Sequence, residues 1–471
     1  MPINVVNTGH FNTVPTIVAA ASAGTHFVDQ SGNPRLFVGD NAWALLANGG
    51  AWNSGNYQSA YDTYFAQRAA QGYNAVEVTW CSFPAVAPGF VNTDGSDWDG
   101  VYPFSTNTNP STSANSTFWA RRDYFFTAAA AKGFVVVMNM TTTMMNFNDP
   151  DVFQRGWTNQ QWTDFGTFFG NRYKNQPNIL WNSGDDYFGD FDTQFGLMRT
   201  ACRTAGDSHP WSIMSYQEAN SRQDIFTLTK DHLAFGVHAE YEWGYSYNVS
   251  YDVVEKAQIY TVTASDDIQH IVPSVWADGF YLASGTSGGQ TDTRLERQMV
   301  WWALSSGAAG VSTGDNDIWT WASTSPAAVT GKSFYTSVMP AIVSSFSGLT
   351  GWHLLAPDAS SQLVTAGRGT HASAIQSGGA GTPYIGNTDA YVTASRTPDG
   401  GSGSSLAVIY CGLAFSITID QSKMAAGYTV TWIDPVSGAT FSGTPGSTYN
   451  STTARGNNSA GDPDWVLVLR G

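Results

Sequence analysis

The chain reads Ile179-Leu180-Trp181-Asn182-Ser183-Gly184-Asp185-Asp186 near its centre, a short apolar run that ends in polar residues and two acids. A similar stretch, Val275-Trp276-Ala277-Asp278-Gly279-Phe280-Tyr281, follows the run Ile271-Val272. Runs of this length are typical of strands, and eight of them alternate with segments of helical periodicity. Eight strand–helix units in about 310 residues predict a (β/α)8 TIM barrel, a member of the α/β class.

The bounds of the predicted elements follow from these alternating patterns and, for the first two helices, from the glycines Gly72 and Gly133 that follow them. We predict strands at residues 36–38, 75–80, 134–140, 178–181, 211–215, 233–237, 271–275 and 308–312. We predict helices at residues 59–71, 118–132, 161–173, 191–204, 223–229, 253–261, 294–305 and 333–345.

The pattern changes after residue 345, where helical periodicity ceases. Short alternating runs separated by Gly- and Ser-rich turns then predict an antiparallel β-sandwich. These runs lie at residues 390–395, 406–410, 415–419, 429–433 and 466–469. We therefore expect an N-terminal arm at residues 1–24, a barrel at 25–345 and a β-sandwich domain at 346–471.

The composition excludes several classes of partner. The 471 residues carry a net charge of −16, which argues against nucleic acid and anionic membrane surfaces, because both attract basic patches. No apolar run approaches the roughly 18 residues of a membrane span. Charged residues make up only 12% of the chain and aromatic residues 14%, with 18 Trp. Aromatic rings stack well on sugar rings, so this composition favours a carbohydrate ligand.

Acids after three predicted strands are the candidate catalytic groups, because a TIM barrel carries its chemistry at the carboxyl ends of its strands. Asp185 and Asp186 follow strand four, Glu240 and Glu242 follow strand six, and Asp278 follows strand seven. Two carboxyl groups across a glycosidic bond are typical of glycoside hydrolases, which retain configuration at about 5 Å separation and invert it at roughly 6.5–9.5 Å. The alternatives are a helix cap or sugar binding for Asp185, a helix cap for Asp186, sugar binding or a loop salt bridge for Glu240 and Glu242, and a turn for Asp278.

Further polar and aromatic residues end or directly follow strands, and we expect them to line the same cleft as sugar-binding groups. They are Asp40, Trp43, Trp80, His238, Tyr281 and Trp319. The chain has no Gly-x-Ser-x-Gly elbow, zinc-ligand spacing, phosphate loop or dinucleotide fingerprint. We therefore expect neither a metal site nor a cofactor.

Several motifs resemble the apiosidase-like glycoside hydrolases, a barrel family. They are Gly32-Asn33-Pro34, Gly39-Asp40-Asn41-Ala42-Trp43, Arg68-Ala69-Ala70-Gln71-Gly72-Tyr73-Asn74, Trp181–Asp186, Asp278–Leu282, Gly307-Ala308-Ala309-Gly310 and Trp319. The resemblance implies that Asp186 is the acid/base and that Asp278 is the nucleophile. The C-terminal part resembles the family's companion β-sandwich, labelled a collagen-binding type, at Trp432–Gly438 and Asp464–Leu469.

The sequence departs from the family pattern at two positions, with Asp278 in place of Glu and Asp185 in place of Gly. Because Asp is one methylene shorter than Glu, three alternatives stay open: inversion, Glu240 as nucleophile, or a site that binds sugar without cleaving it. We expect a retaining glycoside hydrolase that cleaves O-glycosyl bonds in a neutral or weakly charged polysaccharide, such as a furanose-containing wall or plant glycan. The alternative is a non-catalytic carbohydrate-binding protein, for example a phage tail component.

The expected partners are a polysaccharide or oligosaccharide substrate and, under the alternative, virion tail proteins. The first ten residues lack a basic segment followed by an apolar one, so no signal peptide is visible. We expect the protein to be extracellular or part of a virion.

Overall fold

The computed structural model describes most of the chain. The described residues are 19–20, 26–53, 55–82, 92, 94–141, 153–184, 191–215, 233–237, 281–282, 293–308, 310–315, 318, 321, 334–358, 361–369 and 391–471. The chain divides into two compact units, one made of residues 1–22, 27–238 and 312–331 and the other of residues 23–26, 239–311 and 332–471. The domain boundaries after residues 24 and 345 stay predictions.

The first unit is a mixed α/β structure. Its helices are α1 (Leu45–Asn48), α2 (Tyr57–Ala70), α3 (Ser116–Ala131), α4 (Asn159–Tyr173) and α5 (Asp192–Thr204), with 3-10 turns at Ala51–Asn53 and Phe153–Gly156. Its strands are β1 (Ala19–Ala20), β2 (Phe27–Val28), β3 (Pro34–Arg35), β4 (Phe37–Asn41), β5 (Ala75–Thr79), β6 (Val135–Asn139), β7 (Ile179–Asn182), β8 (Trp211–Ser215) and β9 (Leu233–Val237). The division between the units passes through β11 (Gly310–Asp315), which follows β10 (Tyr281–Leu282).

The principal sheet has eight strands in the order β10-β11-β4-β5-β6-β7-β8-β9. Neighbouring strands from β4 to β9 are parallel, which confirms the predicted parallel sheet. The bounds predicted for β8 and β9 are confirmed, and β6 is one residue shorter at each end than predicted. The predicted elements at 223–229, 253–261 and 271–275 lie outside the described residues.

Helices α4 and α5 approach closely because small residues line their contact. Gly166 of α4 faces the main chain of α5, and a Cβ atom built on it would lie 2.0 Å from the carbonyl oxygen of Met198. Gly170, one turn later, faces the carbonyl oxygen of Cys202 in the same way, at 2.6 Å. The interhelical distance therefore depends on the absence of side chains at these two positions.

The second unit is built mainly from antiparallel sheets. Its strands are β12 (Ala356–Pro357), β13 (Val364–Ala366), β14 (Val392–Arg396), β15 (Leu406–Cys411), β16 (Ser416–Ile419), β17 (Thr429–Ile433), β18 (Thr440–Gly443), β19 (Thr448–Asn450) and β20 (Trp465–Arg470). Its helices are α6 (Thr293–Ser305), α7 (Met339–Ser347) and α8 (Ser451–Ala454), with a π turn at Phe334–Val338 and 3-10 turns at Trp352–Leu354 and Gln421–Lys423.

These strands form a six-stranded sheet, β12-β14-β15-β20-β17-β18, and a three-stranded sheet, β13-β16-β19. Side chains of both sheets share one buried apolar cluster, in which Ile417 and Tyr449 of the small sheet join Ile409, Trp432 and Leu467 of the large one. Burial of this apolar surface holds the two sheets together. The predicted strand at 429–433 is confirmed, and β15 and β20 extend beyond their predicted ends.

A buried ion pair joins α6 to the large sheet of this unit. Arg297 donates two hydrogen bonds to Asp464, from Nε to Oδ2 at 3.1 Å and from Nη2 to Oδ1 at 2.8 Å. Tyr410 and Asn458 also donate to this carboxylate, at 2.9 and 2.8 Å. Burial raises the pKa of Asp464, and the opposing charge of Arg297 keeps that rise in check.

We expect Gly166→Ala to lower the free energy of unfolding by about 2 kcal/mol or more, because its methyl group must push two main chains apart. The matched control is Gly196→Ala in α5, where a Cβ atom would meet nothing within 4 Å. That control should raise the free energy of unfolding by about 0.5–1 kcal/mol through helix propensity. Urea titration of both variants measures the difference, and equal stabilities would contradict the close approach.

We expect Arg297→Met to lower the free energy of unfolding by about 3–5 kcal/mol, because it leaves Asp464 buried without its opposite charge. Arg294→Met is the control, since Arg294 lies on the same helix with its side chain 32% exposed and its Nε atom 3.7 Å from Oδ1 of Asp462. Its loss should be about 1 kcal/mol or less. Denaturant unfolding compares the two, and a smaller loss for Arg297→Met than for Arg294→Met would refute this account.

Candidate active site

Polar side chains gather at the carboxyl ends of parallel strands, on the sheet face opposite to the helices. In β4, Asp40 bonds to side chains of α2, so its neighbour Asn41 points to the opposite face. In β7, Trp181 packs against aromatic rings of α4, so its neighbour Asn182 also points to the opposite face. We call this opposite face the inner face of the sheet.

The strand register brings the inner-face residues level with one another. Asn41 of β4 pairs with Glu77 of β5. One level nearer the carboxyl ends, Thr79 of β5 pairs with Asn139 of β6, which pairs with Asn182 of β7. Branched apolar residues dominate the inner layers of a typical barrel sheet. The polar layer at this end of the sheet therefore differs from the typical apolar layer, and packing of the core does not require that difference.

Hydrogen bonds link three of these side chains into a chain that crosses three strands. Asn139 donates from Nδ2 to Oε1 of Glu77 at 2.9 Å. Asn182 donates from Nδ2 to Oδ1 of Asn139 at 2.5 Å. All three side chains are buried. We call Glu77, Asn139 and Asn182 the amide relay.

The main chain beyond Asn182 leads directly into the predicted acids. The hydroxyl of Thr141, just after β6, donates to the carbonyl oxygen of Ser183 at 2.7 Å. A Cβ atom on Gly184 would lie 2.8 Å from the ring of Phe195 and 3.0 Å from the Thr141 hydroxyl. Glycine is therefore needed where the chain leaves β7.

Most of the predicted site residues lie outside the described residues. They are Asp185, Asp186, His238, Glu240, Glu242, Asp278 and Trp319. Tyr281 is the first residue of β10, and its strand belongs to the principal sheet. The prediction that these residues line one cleft, with carboxyl groups facing each other, therefore stays a prediction.

Asp40 lies on the helix side of the sheet. It is completely buried, and its Oδ2 atom accepts from the Tyr64 hydroxyl at 2.6 Å and from Nε of Arg68 at 2.8 Å. Burial raises the pKa of Asp40, while the charge of Arg68 and the hydrogen bonds lower it. These contacts attach β4 to α2, and the predicted sugar-binding role of Asp40 stays a prediction.

The two described tryptophans of the predicted site are also buried. Trp80 stacks parallel to Trp119 with ring centroids 6.0 Å apart and meets Phe165 at 5.0 Å. The main-chain oxygen of Trp43 accepts hydrogen bonds from both the amide and the hydroxyl of Thr79. Core packing accounts for these positions, and sugar stacking by Trp43 and Trp80 stays a prediction.

Sequence reasoning missed the amide relay, although a signal was present. Glu77 is the one charged residue in the strand Ala75–Thr79, and its strand neighbours are all buried. A charge in a strand buried on both faces is costly unless it is hydrogen-bonded. Asn139 and Asn182 each end an apolar strand, which places polar groups where ligands bind in parallel sheets.

Within the described ranges, no group of three or more His, Cys, Asp or Glu side chains is arranged to hold a metal ion. In the same parts of the chain, no helix is both long and apolar enough to cross a membrane.

Comparison with solved structures identifies the class of fold. A family 5 glycoside hydrolase from Bacteroides vulgatus ATCC 8482 has a TM-score of 0.66 at 15% identity, over 96% of this chain and 92% of that one. Another structure, described as a glycoside hydrolase, has a TM-score of 0.63 at 15% identity, over 97% of both chains. At this identity the likeness shows the fold alone, which is one that glycoside hydrolases use.

The particular family follows from the sequence. The model of the apiosidase-like catalytic domain matches residues 21–353, and the chain belongs to this family. No curated protein matches the chain. Membership confirms the predicted resemblance and supports a glycosidase that acts on a carbohydrate.

We expect Tyr64→Phe to lower the free energy of unfolding by about 2 kcal/mol, because a buried carboxylate loses a hydroxyl donor. Asp62→Asn is the comparison, since Asp62 is an exposed acid on the same helix. It should have little effect. Thermal unfolding tests this, and a Tyr64→Phe variant as stable as the wild type would show that the contact carries no stability.

Proposed function

We propose that this protein is a retaining glycoside hydrolase that cleaves O-glycosyl bonds in a neutral or weakly charged polysaccharide. One observation carries the proposal: the family match spans residues 21–353. Both acids of the candidate pair, Asp186 and Asp278, lie within that range. Asp186 is the proposed acid/base and Asp278 the proposed nucleophile. The family name favours a substrate that contains furanose sugars.

The mechanism needs only two carboxyl groups. Asp186 gives its proton to the glycosidic oxygen as the bond from that oxygen to the anomeric carbon breaks, while a carboxylate oxygen of Asp278 forms a bond to that carbon. Asp186 then removes a proton from water, which attacks the anomeric carbon and releases Asp278. The acid role needs a raised pKa, and like-charge repulsion from a neighbouring carboxylate is one physical cause of such a rise.

The other candidate residues have proposed roles around this pair. Glu240 is the alternative nucleophile, and Glu242 binds sugar hydroxyls. The remaining sugar-binding candidates are Asp40, Trp43, Trp80, His238, Tyr281 and Trp319. An inverting reaction is the variant in which Asp278 acts as a base on water, which its short side chain permits.

We also propose that the principal sheet closes into a (β/α)8 barrel and that the two C-terminal sheets form a β-sandwich. The eight-stranded order and the parallel pairings from β4 to β9 support the first. The apolar cluster shared by the C-terminal sheets supports the second. The sandwich has a supporting or sugar-binding role, and its acids Asp434 and Asp464 are engaged in internal hydrogen bonds.

The second candidate function is carbohydrate binding without turnover, as in a virion component that recognises wall glycan. The observation that favours it is the sequence itself, which has Asp278 where the family pattern has Glu. Under either function, we propose that the protein acts outside the cell or in a virion.

We expect Asp186→Asn to lower kcat on a natural polysaccharide by about 10²–10⁴-fold, because the amide cannot donate the proton that the leaving oxygen needs. The same variant should lose much less on a 4-nitrophenyl glycoside, whose leaving group needs little protonation. Asp278→Asn should abolish turnover of both substrates, because attack on the anomeric carbon is lost for any leaving group. Rate constants on both substrates for both variants test the assignment.

Glu240→Gln distinguishes the alternatives. If Asp278→Asn keeps wild-type rates and Glu240→Gln is inactive, the nucleophile is assigned wrongly. A wild-type protein that binds a glycan and cleaves none supports the second candidate function.

A further inference from the structure

The outer strand of the large C-terminal sheet carries a partly exposed aromatic ring. Phe441 lies in β18, the last strand in the sheet order, and it is 40% exposed. It pairs across the strands with Trp432, so both side chains lie on the same face of the sheet. Trp432 belongs to the apolar cluster that the two sheets share. Phe441 therefore extends the face that packs against the small sheet, and does so at an edge that solvent reaches.

Two contacts hold the Phe441 ring in place. Trp465 of β20 meets it nearly edge to face, with ring centroids 5.7 Å apart and an interplanar angle of 77°. The Trp465 indole is itself buried and donates from Nε1 to the main-chain oxygen of Gly456 at 2.9 Å. The guanidinium group of Arg455 lies over the Phe441 ring, with Cζ 5.1 Å from its centroid. We call the side chains of Phe441 and Arg455 the edge platform.

The hydrogen-bond donors of Arg455 are unused. Within the described part of the chain, its guanidinium group donates no hydrogen bond and forms no ion pair, and its Nε atom is buried without an acceptor. The two Nη atoms are not buried in this way, so a ligand can reach them. Acids are not scarce, since the chain has 37 acidic residues and 21 basic ones. A ligand rich in oxygen acceptors would engage these donors.

The main chain holds Arg455 in position without help from a ligand. The amides of Arg455 and Gly456 donate to the carbonyl oxygen of Ser451, at 2.8 and 3.2 Å. Asn450 caps α8 by accepting from the amide of Thr453 at 2.9 Å. Gly456 has a φ of +74°, in the left-handed region that favours glycine. The platform is therefore preorganised, which lowers the entropy that binding would cost.

A sugar unit matches both parts of the edge platform. Its C–H face can stack on the Phe441 ring, and its hydroxyl oxygens can accept hydrogen bonds from Arg455. The other exposed residues beside Phe441 on β18, Thr440 and Ser442, are polar. Stable protein interfaces bury about 1,600 Å² around an apolar centre, and one aromatic ring on a polar strand is too small for that. The observations therefore favour a carbohydrate over a second copy of the chain.

We propose that the edge platform is a second carbohydrate-binding site, which holds a sugar unit of the same polysaccharide that the catalytic acids cleave. The identity of this ligand rests on the proposed function. Phe441 stacks on the sugar ring, and Arg455 donates to its hydroxyl groups. The site keeps the protein on the polymer and takes no part in bond cleavage.

The proposal predicts which side chains the affinity depends on. Phe441→Leu keeps the apolar bulk and removes the aromatic face, and we expect affinity for soluble arabinan to fall about three- to tenfold. Phe441→Tyr keeps the ring, so its affinity should stay within about twofold of the wild type. Arg455→Met keeps the apolar stem and removes the donors, with an expected loss of about three- to tenfold.

Two matched variants of the same unit are the controls. Leu354→Ala removes a large apolar side chain that is 44% exposed. Arg470→Met removes an exposed arginine at the end of β20. Neither residue belongs to the edge platform, so both variants should bind arabinan as the wild type does.

The measurement is affinity electrophoresis of the full chain in soluble arabinan, with every variant placed in an Asp186→Asn background so that the polymer is not cut. Melting temperatures are recorded for the same proteins. In the active background, KM and kcat on 4-nitrophenyl α-L-arabinofuranoside report on the catalytic residues alone, because this probe carries a single sugar. They should stay within about twofold of the wild type for every platform variant.

Lower affinity in both Phe441→Leu and Arg455→Met, with controls and turnover unchanged, supports the proposal. It is overturned if either variant binds like the wild type, if the wild type does not bind arabinan, or if affinity follows the melting temperature across the set. A change of sedimentation coefficient in Phe441→Leu at unchanged affinity also overturns it, in favour of a contact between copies. If the platform binds arabinan and the wild type turns over no aryl glycoside, the binding site stands and the proposed hydrolysis of that probe fails.

Discussion

The parallel register of β5, β6 and β7 is the constraint on which the candidate site depends. Main-chain hydrogen bonds place Thr79, Asn139 and Asn182 at one level. A slip of one residue would send Asn139 or Asn182 to the helix side, because successive side chains in a strand point to opposite faces. The amide relay exists only in the observed register, so it requires that the sheet form in that register.

Two buried carboxylates, one in each unit of the chain, have the same kinds of partner. Asp40 accepts from Arg68 and Tyr64, and Asp464 accepts from Arg297, Tyr410 and Asn458. Each of these carboxylates has an opposite charge and a hydroxyl donor on it. Such pairs contribute little net stability over apolar packing, but losing one partner is costly. They therefore fix which helix lies on which strand.

Sequence patterns predicted more of the fold than of the candidate site. Strand and helix bounds followed from apolar periodicity, and β8 and β9 have the predicted ends. Their places at the carboxyl ends of strands made Asp40 and Trp80 candidate site residues. Such a position does not show on which face of the sheet a side chain lies. Because a parallel strand is buried on both faces, its sequence does not alternate in polarity and the face is hidden. Asp40 faces α2 while Asn41 beside it faces inward, a distinction of one residue that only the coordinates provide.

The amide relay also bears on which sugars suit the site. Adjacent strands lie about 4.8 Å apart, so a charge on β5 is about 10 Å from the end of β7. At an effective dielectric constant of about 20, two like charges at that distance repel by about 1.7 kcal/mol. An anionic sugar bound beside Asn182 would meet this repulsion from Glu77 and further repulsion from the proposed acids. Under the proposed function, we therefore expect a neutral sugar to be preferred over a uronic acid.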